Sequence, residues 1–274
     1  MTIRYLTKQL HNVGMFYREA GPADAPVILL LHGYPTSSHM FRDLIPLLAK
    51  DYRVIAPDLP GFGNTKAPPR SEFDYTFDNL ASVVTEFIEA LGLDRYALYV
   101  FDYGAPTGFR VAAAHPERVT AIISQNGNAY EEGLSDIWGP FQAYWRAPSD
   151  ATRAACRDAL TPEAIHMQYF HGVDATRISP DCHTLDSAYL GRPGNDDIQL
   201  DLILDYRTNV ALYPAWQAYF RKHQPPMLAV WVTRIRFFFP QVRGRIAAIF
   251  RRRGSSCWIQ DTSRSKRMRQ RSRR

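Results

Sequence analysis

Leu98-Tyr99-Val100-Phe101-Asp102-Tyr103-Gly104-Ala105-Pro106-Thr107-Gly108-Phe109-Arg110 is the stretch on which the fold turns. An apolar run from Tyr96 to Phe101 reaches a lone Asp, and the Gly two residues later opens a helical pattern running to about Ala114. This layout predicts a tight strand-to-helix turn with the Asp102 side chain exposed at the sheet edge. The helix N-terminus would supply backbone N–H groups and positive partial charge there. A carboxylate in that place is a competent nucleophile at neutral pH and can displace a leaving group from a saturated carbon. The competing reading is an N-cap Asp that satisfies helix N–H groups. What lies on either side separates the two.

Upstream, residues 3–20 read as two short strands around a turn at His11-Asn12-Val13-Gly14. Val27 to Leu31 is a continuous apolar run of buried parallel-strand type, followed at once by His32-Gly33-Tyr34-Pro35-Thr36-Ser37-Ser38. A helical pattern (Phe41, Leu44, Ile45, Leu47, Leu48), a strand over Tyr52–Ala56 and the loop Pro57-Asp58-Leu59-Pro60-Gly61-Phe62-Gly63 come next. Thr76 to Leu93 has helical spacing, and Val119 to Ser124 is a further strand. Strand alternating with helix predicts an α/β protein built on a mostly parallel, doubly wound sheet. Its functional loops should gather at the carboxyl ends of the strands.

Past Gln125-Asn126-Gly127-Asn128 the character changes. Residues 130–222 hold many aromatics and no buried-strand run, with helices expected near Gly139–Trp145, Asp150–Leu160 and Ile198–Leu212. The expected organisation is therefore a core over 1–129, an inserted helical cap over 130–222, and a last recognisable core strand within 223–231.

Charge divides the chain at the same point. The net charge of +6 hides an acidic body, 1–231, at −7 and a tail, 232–274, at +13, the tail holding 14 Lys or Arg and one acid. The basic balance thus says nothing about the body's substrate. No apolar stretch is long enough to span a membrane, and the N-terminus lacks the apolar core of a secretion signal, so a cytoplasmic location is expected. Cys156, Cys182 and Cys257 form no metal pattern, and neither a metal nor another cofactor is expected.

The strand leading to His32-Gly33-Tyr34-Pro35, the loop Asp58-Leu59-Pro60-Gly61-Phe62-Gly63 and the Asp102 elbow together resemble the α/β-hydrolase fold. Their order and spacing are similar to the branch that holds epoxide hydrolases and haloalkane dehalogenases. That resemblance implies two steps. Asp102 attacks a saturated carbon to form an alkyl-enzyme ester, and a His then activates water to hydrolyse it, with the backbone N–H groups of Tyr34 and Tyr103 holding the oxyanion. It also implies structural roles for His32 and Asp58 and a small apolar organic substrate. A halide leaving group calls for side-chain N–H donors beside the nucleophile and in the first loop, where this sequence has Tyr103 and Tyr34. An epoxide needs a proton donor, which a tyrosine hydroxyl can be. The segment Asp205-Tyr206-Arg207-Thr208-Asn209 resembles the one bearing a ring-opening Tyr, and Tyr144 lies where the other is often found. Epoxide hydrolysis is the expected activity, with haloalkane dehalogenation as the alternative.

The resemblance breaks off at Trp231. The mechanism needs a His after the last strand, yet the eight His stand at 11, 32, 39, 115, 166, 171, 183 and 223. The acid usually following the preceding strand is replaced by Val232-Thr233-Arg234-Ile235-Arg236. Glu131 or Glu132, just past the sixth strand, could act as a relocated acid partner, but neither replaces the base.

The genetic code offers a reason. If each original codon was the third base of one present codon plus the first two of the next, Trp231 onward permits Trp-Gly-Asp-x-Asp-Pro-Phe-Phe, an acid-bearing loop. The same shift across Cys257 to Ser263 permits Leu-Asp-Thr-Gly-His-Phe, which resembles the family's His loop. One base lost from a G run at Trp231 explains both, and the arginine-rich composition as well. The expected outcome is a final helix–strand–helix replaced by an irregular, disordered basic tail, an uncovered sheet edge beside Trp231, and an enzyme that is inactive or stops at the ester. A reading of another class gives the hydrolase-like body a functional tail that binds nucleic acid or anionic membrane. Nonspecific sticking to polyanions is expected either way, with no specific nucleic-acid partner.

Overall fold

The computed structural model describes residues 2–231 and 257–261, with Trp231 and the last five described for their backbone only. The chain opens with β1 (Arg4–Gln9), β2 (Gly14–Ala20) and β3 (Val27–Leu31). It continues with α1 (Ile45–Leu48), β4 (Arg53–Pro57), α2 (Phe77–Ala90), β5 (Tyr96–Phe101), α3 (Gly104–Ala114) and β6 (Val119–Gln125). Five helices follow without a strand between them: α4 (Gly139–Arg146), α5 (Asp150–Ala155), α6 (Pro162–Phe170), α7 (Pro180–Leu190) and α8 (Asn195–His223). Then come β7 (Met227–Trp231) and β8 (Cys257–Asp261).

All eight strands share one sheet, in the order β1-β2-β4-β3-β5-β6-β7-β8. The pairs β1–β2 and β2–β4 are antiparallel, and every other pairing is parallel. Alternation along the strands sends side chains to opposite faces. Leu29, Leu31 and Ile55 join the larger core with Val84 and Phe87 of α2 and Phe109 of α3. Ile28, Leu30, Val54 and Ala56 pack on the other face with Phe41 and Ile45. The expected α/β, mostly parallel, doubly wound architecture is what the chain adopts.

The carboxyl end of the sheet corrects one expectation. Rather than an uncovered edge beside Trp231, Cys257–Asp261 pairs with β7 in parallel at five positions, from Met227↔Cys257 to Trp231↔Asp261. A strand edge presents unpaired N–H and C=O groups that template a further strand. Cys257, Trp258 and Ile259 have side chains suited to one, although their basic surroundings conceal it. The remainder of the tail, 232–256 and 262–274, lies outside the described residues, and with it the expected irregular, disordered character.

A second correction concerns α8, which was expected to end near Leu212. It runs 29 residues, straight past Pro214. An interior proline costs a helix about 3 kcal/mol, but here the turns beyond it are anchored. Trp216 and Phe220 are buried with ring centroids 5.5 and 5.2 Å from that of Phe109. Arg110 of α3 also donates to Asn209 Oδ1 (2.5 Å) and Thr208 Oγ1 (3.0 Å) on α8. One helix therefore runs from the Gly61 loop after β4, through Gln199, to the core around Phe109. Helices α6 and α7, absent from the sequence reading, start at Thr161 and Ser179, each capped through its hydroxyl and followed by Pro.

Candidate active site

Asp102 ends the β5 run in a left-handed conformation, φ 48°, which Asp tolerates better than most side chains. That turn projects its carboxylate between two backbone donors. Oδ1 accepts from Tyr34 N at 2.8 Å and from Tyr103 N at 2.7 Å. The approach is close enough to require glycine on both sides. A Cβ at Gly33 would lie 2.4 Å from Asp102 Cβ, and one at Gly104 would lie 2.2 Å from the Leu31 carbonyl oxygen. Oδ2 accepts no hydrogen bond among the described residues. Protein atoms surround the carboxylate except where it meets the cavity. Burial pushes its pKa up to about 6, against the downward pull of the two N–H groups.

The loops that supply this geometry are themselves braced. His32 is buried, and its Nε2 accepts from Leu59 N at 2.9 Å. Burial lowers its pKa against the upward pull of Asp58, so it acts as a neutral acceptor beneath the loop. Asp58 accepts from Ser38 N (2.7 Å) and Asn64 N (2.8 Å), fastening the first loop to the next. Both residues do the structural work expected of them.

Asp102 opens into a small cavity of about 40 Å³, lined by Tyr34, Tyr103, Trp138, Phe141, Leu160, Gln168 and Ile203 among others. That is room for more than one water-sized group, with mostly apolar walls. Trp138, Phe141, Leu160, Gln168 and Ile203 come from the insertion and were not singled out in the sequence. Their only signal was the aromatic richness of residues 130–222.

Not every residue expected at the site lies there. Tyr34 and Tyr103 do, but their hydroxyls differ: Tyr34 Oη donates to the Ala159 carbonyl at 2.9 Å, whereas Tyr103 Oη has no partner among the described residues. Tyr144 is buried, but its hydroxyl accepts from Arg153 at 3.0 Å, inside an ion-pair network with Asp197 and Asp201. Its hydroxyl is thus engaged by a guanidinium, and Tyr144 is not among the residues lining the cavity. Tyr206 is also fully buried, one layer behind the wall. Its ring stacks on Trp145 (5.8 Å, 6°) and tilts toward Tyr103 (6.1 Å). Its hydroxyl meets Tyr213 Oη at 3.5 Å, and Tyr213 in turn accepts from Asn128.

Glu131 and Glu132 stand exposed on a short 3-10 turn just past β6. Neither bonds to Asp102, whose hydrogen-bond partners among the described residues are both backbone N–H groups. No histidine reaches Asp102 either. Besides His32, His115 pairs with Glu117, His223 stacks on Tyr219, and His166 and His183 pack together in the insertion. Residues 232–274 contain none.

Comparison with known proteins follows the same lines. A family model described as alpha/beta hydrolase fold matches residues 26–254. The Saccharomyces cerevisiae uncharacterized hydrolase YNR064C is 47% identical over 225 residues, covering 80% of this chain and 77% of the yeast one. A haloalkane dehalogenase of Mycobacterium marinum is 45% identical over 165 residues, 58% of this chain and 55% of its own length. This chain thus matches little more than half of that enzyme. Among solved structures, haloalkane dehalogenase DbeA from Bradyrhizobium elkani superposes with a TM-score of 0.75 at 22% identity, covering 95% of this chain and 89% of DbeA. A candidate epoxide hydrolase from Pseudomonas aeruginosa gives 0.71 at 23%, covering 85% and 80%. At those identities the structural likeness shows the fold alone.

Proposed function

We propose a carboxylate-nucleophile chemistry for this chain, which belongs to the α/β-hydrolase fold family. Asp102 Oδ2 attacks a saturated carbon of a small apolar epoxide, and an alkyl-enzyme ester forms on Asp102. The observation that carries this reading is the pair of N–H bonds to Oδ1 at 2.8 and 2.7 Å. They orient the carboxylate for attack and stand ready for the negative charge that builds on the same oxygen when the ester is hydrolysed. An N-cap role accounts for neither bond, because a capping side chain accepts from the second or third helical N–H, the N-cap of α3 is Tyr103 with no side-chain cap bond, and Tyr34 is 68 residues away.

The ester is where the reaction stops. Hydrolysis needs a general base, and the chain offers no imidazole at the carboxyl ends of β7 and β8. We attribute this to a single base lost at the Trp231 codon. The strand register supports that attribution. Phe101 pairs with Gln125, Gln125 with Val230 and Val230 with Gln260, so Asp261 lies level with Asp102 across the sheet. The His permitted by the shifted frame would follow Asp261 directly, at the carboxyl end of β8. The permitted acid loop would follow Trp231 at the end of β7. Two groups would thereby return to the edge of the sheet that holds the nucleophile.

Intact-mass measurement of the full-length chain after exposure to 1,2-epoxybutane tests the proposal. One adduct, mapped to Asp102 and persisting after the reagent is removed, is expected. Continuing diol formation by the pure protein, or an adduct elsewhere, would contradict it. Haloalkane dehalogenation is the second reading, favoured by the Mycobacterium marinum relative, and a parallel exposure to 1-bromobutane weighs it. The basic tail's binding to nucleic acid or membrane concerns residues outside the described ones. Among the described residues no helix is long and apolar enough to cross a membrane.

A further inference from the structure

Epoxide opening leaves an alkoxide that needs a proton, and four tyrosines near the site could be asked for it. Three of them are engaged: Tyr34 Oη with the Ala159 carbonyl, Tyr144 Oη with Arg153, and Tyr206 Oη with Tyr213. The fourth, Tyr103, lines the cavity beside the nucleophile, and its hydroxyl has no hydrogen-bond partner among the described residues. Its ring is held edge-on by Phe77 (5.1 Å) and Phe62 (6.3 Å), so the phenol has a fixed direction. Resting on the epoxide reading above, we propose that Tyr103 is the proton donor of ring opening. A single residue would then serve twice, its backbone N–H binding Asp102 Oδ1 and its side chain meeting the leaving oxygen.

The step balances without a co-reactant other than water. Asp102 Oδ2 forms the new C–O bond as one ring C–O bond breaks, and the electron pair of that bond stays on the ring oxygen. That oxygen takes the Tyr103 Oη proton, and the phenolate recovers a proton from water. Burial, with Asp102 and Tyr34 adding to it, holds the phenol well above the ordinary tyrosine range, so it stays protonated until the alkoxide forms. A bromide leaving group needs no proton, which separates the two substrate classes at this residue.

The test uses the full-length chain and its Tyr103→Phe and Tyr206→Phe variants, with the rate of Asp102 labelling read by mass for 1,2-epoxybutane and 1-bromobutane. Tyr103→Phe keeps the backbone N–H. It should slow epoxide labelling about 100-fold, the span expected for loss of a general acid, and slow bromide labelling far less, since bromide leaves without a proton. Retained bromide labelling also shows that the variant is folded. Epoxide labelling unchanged in Tyr103→Phe, equal loss with both reagents, or a larger epoxide loss in Tyr206→Phe would overturn the assignment. A parent chain labelled by bromide alone would overturn it while sparing the nucleophile, and one labelled by neither would overturn the proposed function itself.

Discussion

The carboxyl ends of β3 and β5 and the carboxyl ends of β7 and β8 belong to one sheet but carry different equipment. At the first pair every part of the proposed nucleophile site is in place. Asp102 sits in a left-handed turn, two N–H groups grip one of its oxygens, glycines allow the approach, and His32 and Asp58 brace the loops from below. At the second pair the strands themselves form and pair in register, but Trp231 runs into Val232-Thr233-Arg234 and Asp261 into Thr262-Ser263-Arg264. On the proposed mechanism, its two halves are structurally separable. The Asp102 carboxylate is held by backbone geometry laid down before residue 130, its bonds coming from Tyr34 and Tyr103.

The largest effect should come from repairing the weaker half. Inserting one base in the Trp231 codon should convert a chain that stops at one adduct into one that turns over. The gain should be at least about 10³-fold in product formed, given the size of general-base effects. A steady-state diol assay reads this, and a repaired chain with no turnover would remove the frameshift from the explanation.

Attacking the stronger half comes next. Asp102→Asn should abolish labelling by epoxide and bromide alike, because the amide cannot act as the nucleophile. Gly33→Ala should disturb the same half without touching a reactive atom. Its new Cβ would meet Asp102 Oδ1 and Tyr103 N at 2.5 Å each, and overpacking of that kind costs about 1–3 kcal/mol. Thermal or urea unfolding should show that loss, together with slower labelling.

The smallest effect is graded. Only the ionised carboxylate attacks, and burial raises the Asp102 pKa to about 6. Labelling should therefore rise with pH and level off above 7, being about tenfold slower at pH 5 than at the plateau. The stability contribution has the opposite slope. A carboxyl whose folded pKa exceeds its unfolded value binds more protons when folded, so this group costs stability as pH rises from about 4 to about 6.

Much of the stronger half was legible in the sequence because it depends on local chemistry. An apolar run, an Asp and a Gly two residues later specify the turn. His32-Gly33-Tyr34-Pro35 after a buried strand specifies the opposing loop. The elements that escaped depend on tertiary packing. Helix α8 crosses Pro214 because Trp216 and Phe220 bury beyond it, which no periodicity count reveals. Helices α6 and α7 have apolar residues scattered around their circumference, and only the Thr161-Pro162 and Ser179-Pro180 starts announced them. β8 is a five-residue strand set among arginines, and its pairing partner lies 30 residues upstream in sequence. The tyrosines were the hardest. The sequence supplies several phenols in the insertion but not their directions, and Arg153 and Tyr213 take two of them away from the cavity. Tyr103 was read for its backbone N–H and as a residue lacking the side-chain N–H a halide calls for, not as an acid.

The most direct measurement counts product equivalents released per chain from excess 1,2-epoxybutane over a long incubation of the purified full-length protein. Release well below one equivalent, with Asp102 fully esterified at the end, is the expected result. Diol accumulating linearly past one equivalent would mean that some group other than a histidine at the strand ends cleaves the ester, and would contradict the division of labour between the two halves of the sheet.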